Sequence, residues 1–402
     1  MPAAEETVQR ARLVLRSAIS RLLVDADPDM TAILLSGGLD TSIIAEAPLI
    51  APDGTDLGPV SIKHAITVSC GEDVANIGPQ HDLPYAVRIC EARGFTHHIL
   101  SVPNPREQLM DPAKPNAPIV YAIQTLQSFD PMEMRGGVAV THALQYAASL
   151  GIKTVVTGDG ADELFAGYSF LTSLSASRLK KWLLRIVGHF SFSAVPLAAG
   201  LGMRVIQPFL DPAVVEFALS CTKDDLVGPD PADPSLLHGK FVLREAFPEA
   251  HSRWRRKVPL ETGAGTTPVG KEYAALGTSE DLQLALDRVY ADDGIVLRDR
   301  EHLHYFSVFE GIFRAADAEP CAAFELQAPP PADPADATGP LANRKFAHTG
   351  RLRSVWSCRA PRFGSDPCVQ CGFQLDRLDQ YFCKTCGAWP ARPSGPPKEE
   401  DD

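Results

Sequence analysis

Residues 34–42 read LLSGGLDTS, a run whose residue types suit phosphate binding. Adjacent glycines let the backbone approach an anion, and a helix that starts directly afterwards adds positive potential from its N–H groups. The hydroxyls of Ser36, Thr41 and Ser42 can donate hydrogen bonds, while the Asp40 carboxylate can bind Mg²⁺. Because lysine is absent, the run differs from the G-x-x-x-x-G-K-[ST] loop. It predicts a phosphate site, with a plain tight turn as the alternative.

A second loop combines glycine with acidic residues. Residues 157–168 read TGDGADELFAGY and contain three carboxylates, those of Asp159, Asp162 and Glu163. Acidic residues at a helix start also stabilise the helix dipole without any further role. Next to a triphosphate, however, they are the oxygen ligands that Mg²⁺ requires. The loop therefore predicts a magnesium site if it lies beside the first loop.

The elements between these loops alternate between strands and helices. Apolar runs predict strands at 31–35, 62–68, 97–102 and 153–157, and helical periodicity predicts helices at 8–24, 39–47, 82–93, 138–150 and 303–313. Residues 51–60 and 103–118 are predicted loops, rich in turn-forming residues. The alternation predicts an α/β fold with a doubly wound parallel sheet, followed by a helical C-terminal part. Ligands bind at the carboxyl ends of such strands, where both loops begin.

Composition narrows the class of protein. The chain has 402 residues and a net charge of −12, which disfavours a protein that coats nucleic acid. No signal segment and no apolar run of eighteen residues occurs, so the sequence predicts a cytoplasmic protein without membrane association. The basic amphipathic stretch 178–187 suits a membrane surface, an acidic partner or a core-packing helix with one solvated face, and the last interpretation is preferred.

Four cysteines near the end have metal-ligand spacing. Two Cys-x-x-Cys pairs, eleven residues apart, predict a structural Zn²⁺ site in a small zinc ribbon formed by Cys368, Cys371, Cys383 and Cys386. We predict a large domain at 1–320, a Pro/Ala-rich linker at 321–350, and the ribbon with an acidic disordered tail at 351–402. Cations around Trp356 suit an RNA or protein partner, and a solvated connector is the alternative.

Five motifs in order carry a family resemblance. The two glycine loops are followed by QPFLD at 207–211, GKFVLREAF at 239–247 and RKVP at 256–259. Together they resemble the synthetase domain of asparagine synthetase, a PP-loop ATP pyrophosphatase with the adenine nucleotide alpha-hydrolase-like fold, over roughly residues 5–315.

The resemblance implies a carbon–nitrogen ligase. Such an enzyme adenylates a carboxylate with ATP, releases pyrophosphate, and transfers ammonia or an amine to the acyl group. The substrate would be a small-molecule or carrier-bound carboxylate. The implied cofactors are ATP and Mg²⁺, beside the structural Zn²⁺ of the ribbon.

The resemblance also assigns roles to individual residues. It implies a pyrophosphate loop formed by Ser36, Gly37, Gly38, Asp40, Thr41 and Ser42, and an adenine pocket lined by Leu35, Val68 and Gly158. Asp40 and Asp162 would bind Mg²⁺, and Lys240 and Lys257 would neutralise the phosphates. Asp159 would meet the nitrogen nucleophile.

Three departures from the family pattern leave the product open. Because position 2 is Pro2 where the family's glutaminase domain has its N-terminal cysteine, we expect a protein without that domain, to which ammonia, a separate glutaminase or an amine supplies nitrogen. Asp159 replaces a glutamate and Thr41 replaces a serine.

Two other functions stay open at this stage. One is a tRNA-modifying PP-loop enzyme that adenylates RNA and binds it through the ribbon, and the other is a nucleotide-binding scaffold without catalysis. The sequence also leaves open whether the protein forms a homodimer.

Overall fold

The computed structural model describes residues 5–51, 54–60, 62–71, 81–187, 192–293, 297–314 and 392. The predicted linker, the zinc ribbon with its four cysteines and the acidic tail lie outside the described residues, so they stay predictions. Within the described ranges, every helix is too short or too polar to cross a membrane.

Helices outnumber strands in the described part of the chain. The helices are α1 Glu5–Leu23, α2 Leu39–Glu46, α3 Leu83–Arg93, α4 Pro105–Gln108, α5 Pro118–Leu126, α6 Pro131–Ser149, α7 Ala161–Leu164, α8 Ser169–Thr172, α9 Ala176–Val187, α10 Ala194–Gly200, α11 Pro212–Ser220, α12 Lys223–Leu226, α13 Phe241–Ala246, α14 Leu260–Gly263, α15 Val269–Ala274, α16 Ser279–Asp293 and α17 Arg300–Arg314. The strands are β1 Thr31–Leu34, β2 Pro48–Ile50, β3 Asp56–Pro59, β4 His64–Cys70, β5 Thr96–Val102, β6 Thr154–Val156, β7 Arg204–Ile206, β8 Val227–Pro229 and β9 Leu237–Gly239.

The chain divides into two compact units, of which the first comprises residues 1–104 and 142–265. Its centre is a parallel sheet with the strand order β5-β4-β1-β6-β7. The order runs outward from β1 in both directions, so the switch point lies between β1 and β6. The predicted parallel α/β fold is confirmed. The edge strand β7 was not predicted, because its three residues carry too short a pattern.

The core of this unit forms between the sheet and its helices. Ala32 and Ile33 of β1 are fully buried, and α1 buries the face that carries Leu15 and Ile19. Helix α3 ends at Arg93, as predicted, and the left-handed conformation of Gly94 closes it.

Two loop predictions were partly wrong. Within 51–60, β3 pairs with β2 as an antiparallel hairpin, and Arg16 of α1 holds it through Asp56 at 3.1 Å. Within 103–118, residues 105–108 form the short helix α4. Helix α6 begins at Pro131 rather than at Val138, with the Asp130 carboxylate accepting hydrogen bonds from two of its first N–H groups.

Among the described residues, the second unit comprises 105–141 and those from 266 to 314 that the structure describes, and it is helical. Phe129 packs edge-on against Phe306 and Phe309, at ring-centroid distances of 5.2 and 5.0 Å. The buried carboxylate of Glu301 accepts a 2.7 Å hydrogen bond from Arg135 Nε and a 2.9 Å bond from the Tyr305 hydroxyl. This agrees with the predicted helical C-terminal part.

Candidate active site

The loop after β1 is shaped by its two glycines. Gly37 has φ +64°, and a Cβ there would lie 2.6 Å from Ala86 N and 2.7 Å from Tyr85 Cβ. The start of α3 therefore packs directly on the Gly37 backbone, where only glycine fits. Gly38 N–H donates to Ser36 Oγ at 3.2 Å and caps α2 with extended backbone. The loop is held in one shape at the N-terminus of α2.

The loop after β6 comes into contact with the first loop. A Cβ at Gly158 would lie 2.8 Å from Asp40 Cβ, so these backbones approach as closely as glycine allows. Gly160 has φ +93° and leads into α7, which places Asp162 in the first turn, with its side chain 11% exposed. Because β1 and β6 are parallel neighbours, both loops leave the sheet at the same edge.

Two lysines connect the acidic residues of these loops. Lys240 Nζ lies 2.7 Å from both carboxylate oxygens of Asp40 and 2.7 Å from Asp162 Oδ1. Lys257 Nζ lies 2.8 Å from Asp162 Oδ2. The Lys240 side chain is only 3% exposed, whereas 31% of the Lys257 side chain is exposed. The structure thus joins Asp40, Asp162, Lys240 and Lys257 in one ionic cluster.

The charges in this cluster depend on each other. Burial opposes the charge of Asp162, yet Lys240 and Lys257 lower the pKa of its carboxyl group below the usual range. Burial raises the pKa of Asp40, although Lys240 acts against this shift. Burial likewise opposes the charge of Lys257, but Asp162 and Asp40 raise its pKa. Asp162 and Lys257 are therefore ionised at neutral pH.

The backbone around Lys240 is unusual for a residue with a side chain. Lys240 has φ +58° and donates its N–H to Phe165 O at 2.7 Å. A Cβ at Gly239 would lie 1.8 Å from Ala166 O, and one at Gly167 would lie 2.4 Å from Lys240 Cε. These two glycines make the room that Lys240 needs, and the left-handed conformation directs its side chain into the cluster.

The segment that carries Lys257 is attached to the first loop. Ser252 Oγ donates to Gly37 O at 2.6 Å, and Arg255 Nη1 donates to Ser36 O at 3.2 Å. Arg255 also contacts Asp82 Oδ1 through Nη2 at 2.8 Å and lies over the Tyr85 ring at 4.2 Å. Burial raises the pKa of Asp82 to about 6, against the lowering effect of Arg255.

Ser42 lies away from the cleft, unlike Ser36. It is fully buried, its hydroxyl donates to Glu46, and Glu46 also accepts the His251 N–H at 2.9 Å. Its geometry fits the attachment of α2 to the segment after α13 better than direct contact with pyrophosphate. Thr41 Oγ1 lies 3.3 Å from Ser36 Oγ and is 4% exposed as a residue.

Asp159 is restrained by two neighbours. Its Oδ2 accepts hydrogen bonds from Thr157 Oγ1 at 2.7 Å and from Gln207 Nε2 at 2.8 Å. Burial raises the pKa of Asp159 despite these bonds.

Of the predicted adenine-pocket residues, Leu35 is 1% exposed while Val68 and Gly158 are partly exposed, and their role stays a prediction.

An open cleft adjoins the cluster, and basic residues outnumber acidic ones in its lining by five to two. The cleft is lined by Ser36, Gly38, Leu39, Asp40, Asp82, Lys240, Arg244, Arg255, Arg256, Lys257, Val258 and Leu260. Burial lowers the pKa of Arg244 to about 10, which still leaves this guanidinium charged at neutral pH. Such a lining favours a ligand with several negative charges, such as a polyphosphate.

The donor groups fit a magnesium ion that arrives with phosphates. Asp40 and Asp162 already share one cation, the Lys240 ammonium, so their oxygens converge on a common point. Among the described residues, His, Cys, Asp and Glu side chains form no group of three that could hold a metal ion. Mg²⁺ commonly takes one or two carboxylates together with phosphate oxygens and water, so two carboxylates suffice.

Two residues of the site, Asp82 and Glu46, received no role from the sequence. Asp82 stands just before α3, where an acidic residue signals only a helix start, but its side chain pairs with Arg255. Glu46 follows the first loop by one helical turn, a spacing that puts it on the same face as Ser42. That spacing could have predicted the contact between Glu46 and Ser42, whereas no local pattern indicates that Asp82 pairs with Arg255.

Comparison with known proteins shows similarity to asparagine synthetases. The asparagine synthase family model matches residues 10–200, the region that carries both glycine loops. Asparagine synthetase [glutamine-hydrolyzing] of Sandersonia aurantiaca is 24% identical over 320 residues, covering 75% of this chain and 56% of that protein. The probable asparagine synthetase of Schizosaccharomyces pombe is 24% identical over 310 residues, covering 70% and 52%.

The matched relatives are longer than this chain. Asparagine synthetase 2 of Lotus japonicus is 25% identical over 323 residues, which cover 74% of this chain and 50% of that protein. An NMN synthetase from Francisella tularensis aligns with a TM-score of 0.25 and 14% identity, over 52% of this chain and 91% of that chain, too low a score to indicate a shared fold. The chain spans about half the length of the curated relatives it matches, and over residues 10–200 it is similar to asparagine synthase.

Proposed function

We propose that the chain is an ATP-dependent ligase that adenylates a carboxylate, releases pyrophosphate, and transfers ammonia or an amine to the acyl group. The main support is the cluster in which Asp40, Asp162, Lys240 and Lys257 meet at 2.7–2.8 Å, beside a cleft whose lining includes five basic residues. The similarity of residues 10–200 to asparagine synthase supports the same reaction class.

In the first step, a carboxylate oxygen attacks the α-phosphorus of ATP while the bond to the bridging oxygen of pyrophosphate breaks. Negative charge then grows on the leaving pyrophosphate. Lys240, Lys257 and Arg255 line the cleft and stabilise that charge, and the N–H groups at the start of α2 add to the same field.

Magnesium would be held by Asp40 and Asp162, where it would neutralise phosphate charge when bound. The cleft itself orients the carboxylate and the nucleotide, so that attack occurs within one complex. Its basic side chains also keep both anionic reactants together despite their mutual repulsion.

In the second step, the amine nitrogen attacks the acyl carbon and AMP departs with the electron pair of the broken bond. The nitrogen must lose a proton as the amide forms, and Asp159 is the proposed acceptor. Thr157 and Gln207 fix its carboxylate by hydrogen bonds, and burial increases its basicity by raising its pKa.

The experiment is a screen for pyrophosphate release from ATP with amino acids and other carboxylates, with and without ammonia. We expect release with a specific carboxylate, and AMP rather than ADP as the nucleotide product. Asp40→Ala should abolish release because the variant removes one magnesium ligand and the partner of Lys240.

Asp29→Ala is the matched control, since Asp29 is 68% exposed at its side chain and pairs only with the surface residue Lys63 within the described structure. ADP as the product, or undiminished release in Asp40→Ala, contradicts the proposal. Release that requires RNA would instead favour the tRNA-modifying enzyme. ATP binding without release under all conditions would favour the scaffold.

A further inference from the structure

We infer that Lys240 holds the place of the divalent cation between Asp40 and Asp162, so that the metal ion enters only together with nucleotide phosphates. This order of binding rests on the proposed function for the identity of the nucleotide. It gives Lys240 a second role, as an internal cation that keeps the protein from binding metal alone.

The geometry allows one cation at this point. Lys240 Nζ donates hydrogen bonds of 2.7 Å to both oxygens of Asp40 and forms an ion pair with Asp162 Oδ1 at 2.7 Å. A magnesium ion binds its oxygen ligands at about 2.0–2.1 Å and would need the same oxygens. The ammonium and the metal ion therefore exclude each other.

Charge balance favours the lysine in the absence of phosphate. The side chains of Lys240 and Lys257 already contact the two carboxyl groups, so a divalent cation would add positive charge beside two lysines. The Lys240 side chain is 3% exposed, which shields these contacts from competing water. Phosphate groups alter this balance because they supply negative charge and a new acceptor for the ammonium.

The side chain of Lys240 can make this exchange without movement of its backbone. Its N–H is bonded to Phe165 O at 2.7 Å and its carbonyl oxygen accepts from Arg244 N at 3.0 Å. The side chain passes over Gly167, which has no Cβ to restrict it, and Lys240 already lines the cleft. A rotation of the side chain towards phosphate would expose both carboxylates together.

The test measures Mn²⁺ binding to the full-length protein without nucleotide, by the electron paramagnetic resonance signal of free Mn²⁺. Wild type should bind Mn²⁺ at this site at least about tenfold more weakly than Lys240→Met, whose carboxylates have lost their shared cation. Adding Asp162→Asn to Lys240→Met should return binding to the wild-type level.

Lys257→Met is the matched control, because it removes the same charge from the cluster but leaves Lys240 between the carboxylates. Binding by Lys257→Met should stay near wild type. Equal Mn²⁺ affinity in wild type and Lys240→Met would overturn the inference. Equal gains in the two single variants would overturn it as well, since net charge alone would then explain the effect.

A measurement on wild type covers the case in which Lys240→Met fails to fold, as judged by circular dichroism. If wild type binds Mn²⁺ without nucleotide and Asp40→Asn does not, the inference is contradicted. If wild type and Asp40→Asn bind Mn²⁺ equally weakly, the inference is supported. None of these experiments requires turnover. Failure of the proposed function would appear in the pyrophosphate assay, and failure of this inference would appear in metal binding.

Discussion

Replacement of Gly37 by alanine should damage both the fold of the first unit and nucleotide binding. Gly37 has φ +64°, and its missing side chain faces the first turn of α3. An added Cβ would lie 2.6 Å from Ala86 N, 2.7 Å from Tyr85 Cβ and 2.8 Å from Asp82 O. Two of these three atoms belong to the backbone, so no side-chain rotation relieves the contacts.

The expected size follows from two contributions. A left-handed conformation costs an alanine about 1–2 kcal/mol relative to glycine. Overpacking against rigid neighbours costs about 1–3 kcal/mol. The sum predicts that Gly37→Ala lowers the free energy of unfolding by about 2–5 kcal/mol. The loop should also shift away from α3, which would weaken ATP binding through displacement of Ser36 and Gly38.

Gly38→Ala is the matched comparison within the same loop. Gly38 has φ −74°, and a Cβ there would meet only Ser36 Oγ, at 3.2 Å. The free energy of unfolding of Gly38→Ala should stay within about 1 kcal/mol of wild type, because alanine tolerates this conformation and restricts the unfolded chain. ATP affinity should still fall, since Gly38 lines the cleft where phosphate must approach.

Urea unfolding and equilibrium ATP binding, measured for both variants, test this reasoning. The steric contacts predict a clear difference in stability between the variants and a loss of affinity in each. Wild-type stability in Gly37→Ala would refute the reasoning, because the contacts around Gly37 leave no room for an unchanged loop.

Two further predictions concern buried polar groups. Ser42→Ala should lower the free energy of unfolding by about 1–2 kcal/mol, because Glu46 loses a hydrogen-bond donor. The KM for ATP should stay near that of wild type. A large rise in KM with unchanged stability would instead support direct contact of Ser42 with phosphate. Burial raises the pKa of Asp130 to about 6, above its unfolded value near 4, so its contribution to stability is present at low pH and is lost as pH rises through about 6. Asp130→Asn keeps the cap acceptor of α6 but removes the titrating group. Thermal unfolding should therefore show that the stability of the variant relative to wild type increases between about pH 4 and pH 7. The same pH dependence in both proteins would contradict the effect of burial.

The meeting of the two glycine loops could be predicted from sequence for a topological reason. Strands that alternate with helices become parallel neighbours, and their carboxyl ends must lie at one edge. Apolar runs located β1 and β6, so Asp40 and Asp162 could be placed at the same edge of the sheet from the sequence, while the pairing of β1 with β6 came from the structure. The chemistry of those residues then followed from their types.

Other features depended on contacts between distant parts of the chain. Strand β3 pairs with β2 and is held by Arg16, a residue far from it in sequence, so its turn-rich composition favoured a loop. Ser36 and Ser42 received the same predicted role, but Ser36 lies in the loop that lines the cleft while Ser42 lies in α2 and is buried against Glu46. The i, i+4 spacing of Ser42 and Glu46 was the local signal of this contact, whereas residue type alone did not indicate it.

The ionic cluster shows where local pattern ends and tertiary structure begins. Sequence could place Lys240 near phosphate, but it could not show that the ammonium lies between the two carboxylates assigned to magnesium. That arrangement requires a left-handed residue and glycines at 167 and 239, each of which reads as an ordinary loop residue when taken alone. Because a strained backbone persists only where surrounding contacts enforce it, the conformation of Lys240 argues that its position is selected. A lysine that only bound phosphate could have an unstrained backbone, whereas a lysine that also neutralises Asp40 and Asp162 needs the left-handed conformation that places its ammonium between them.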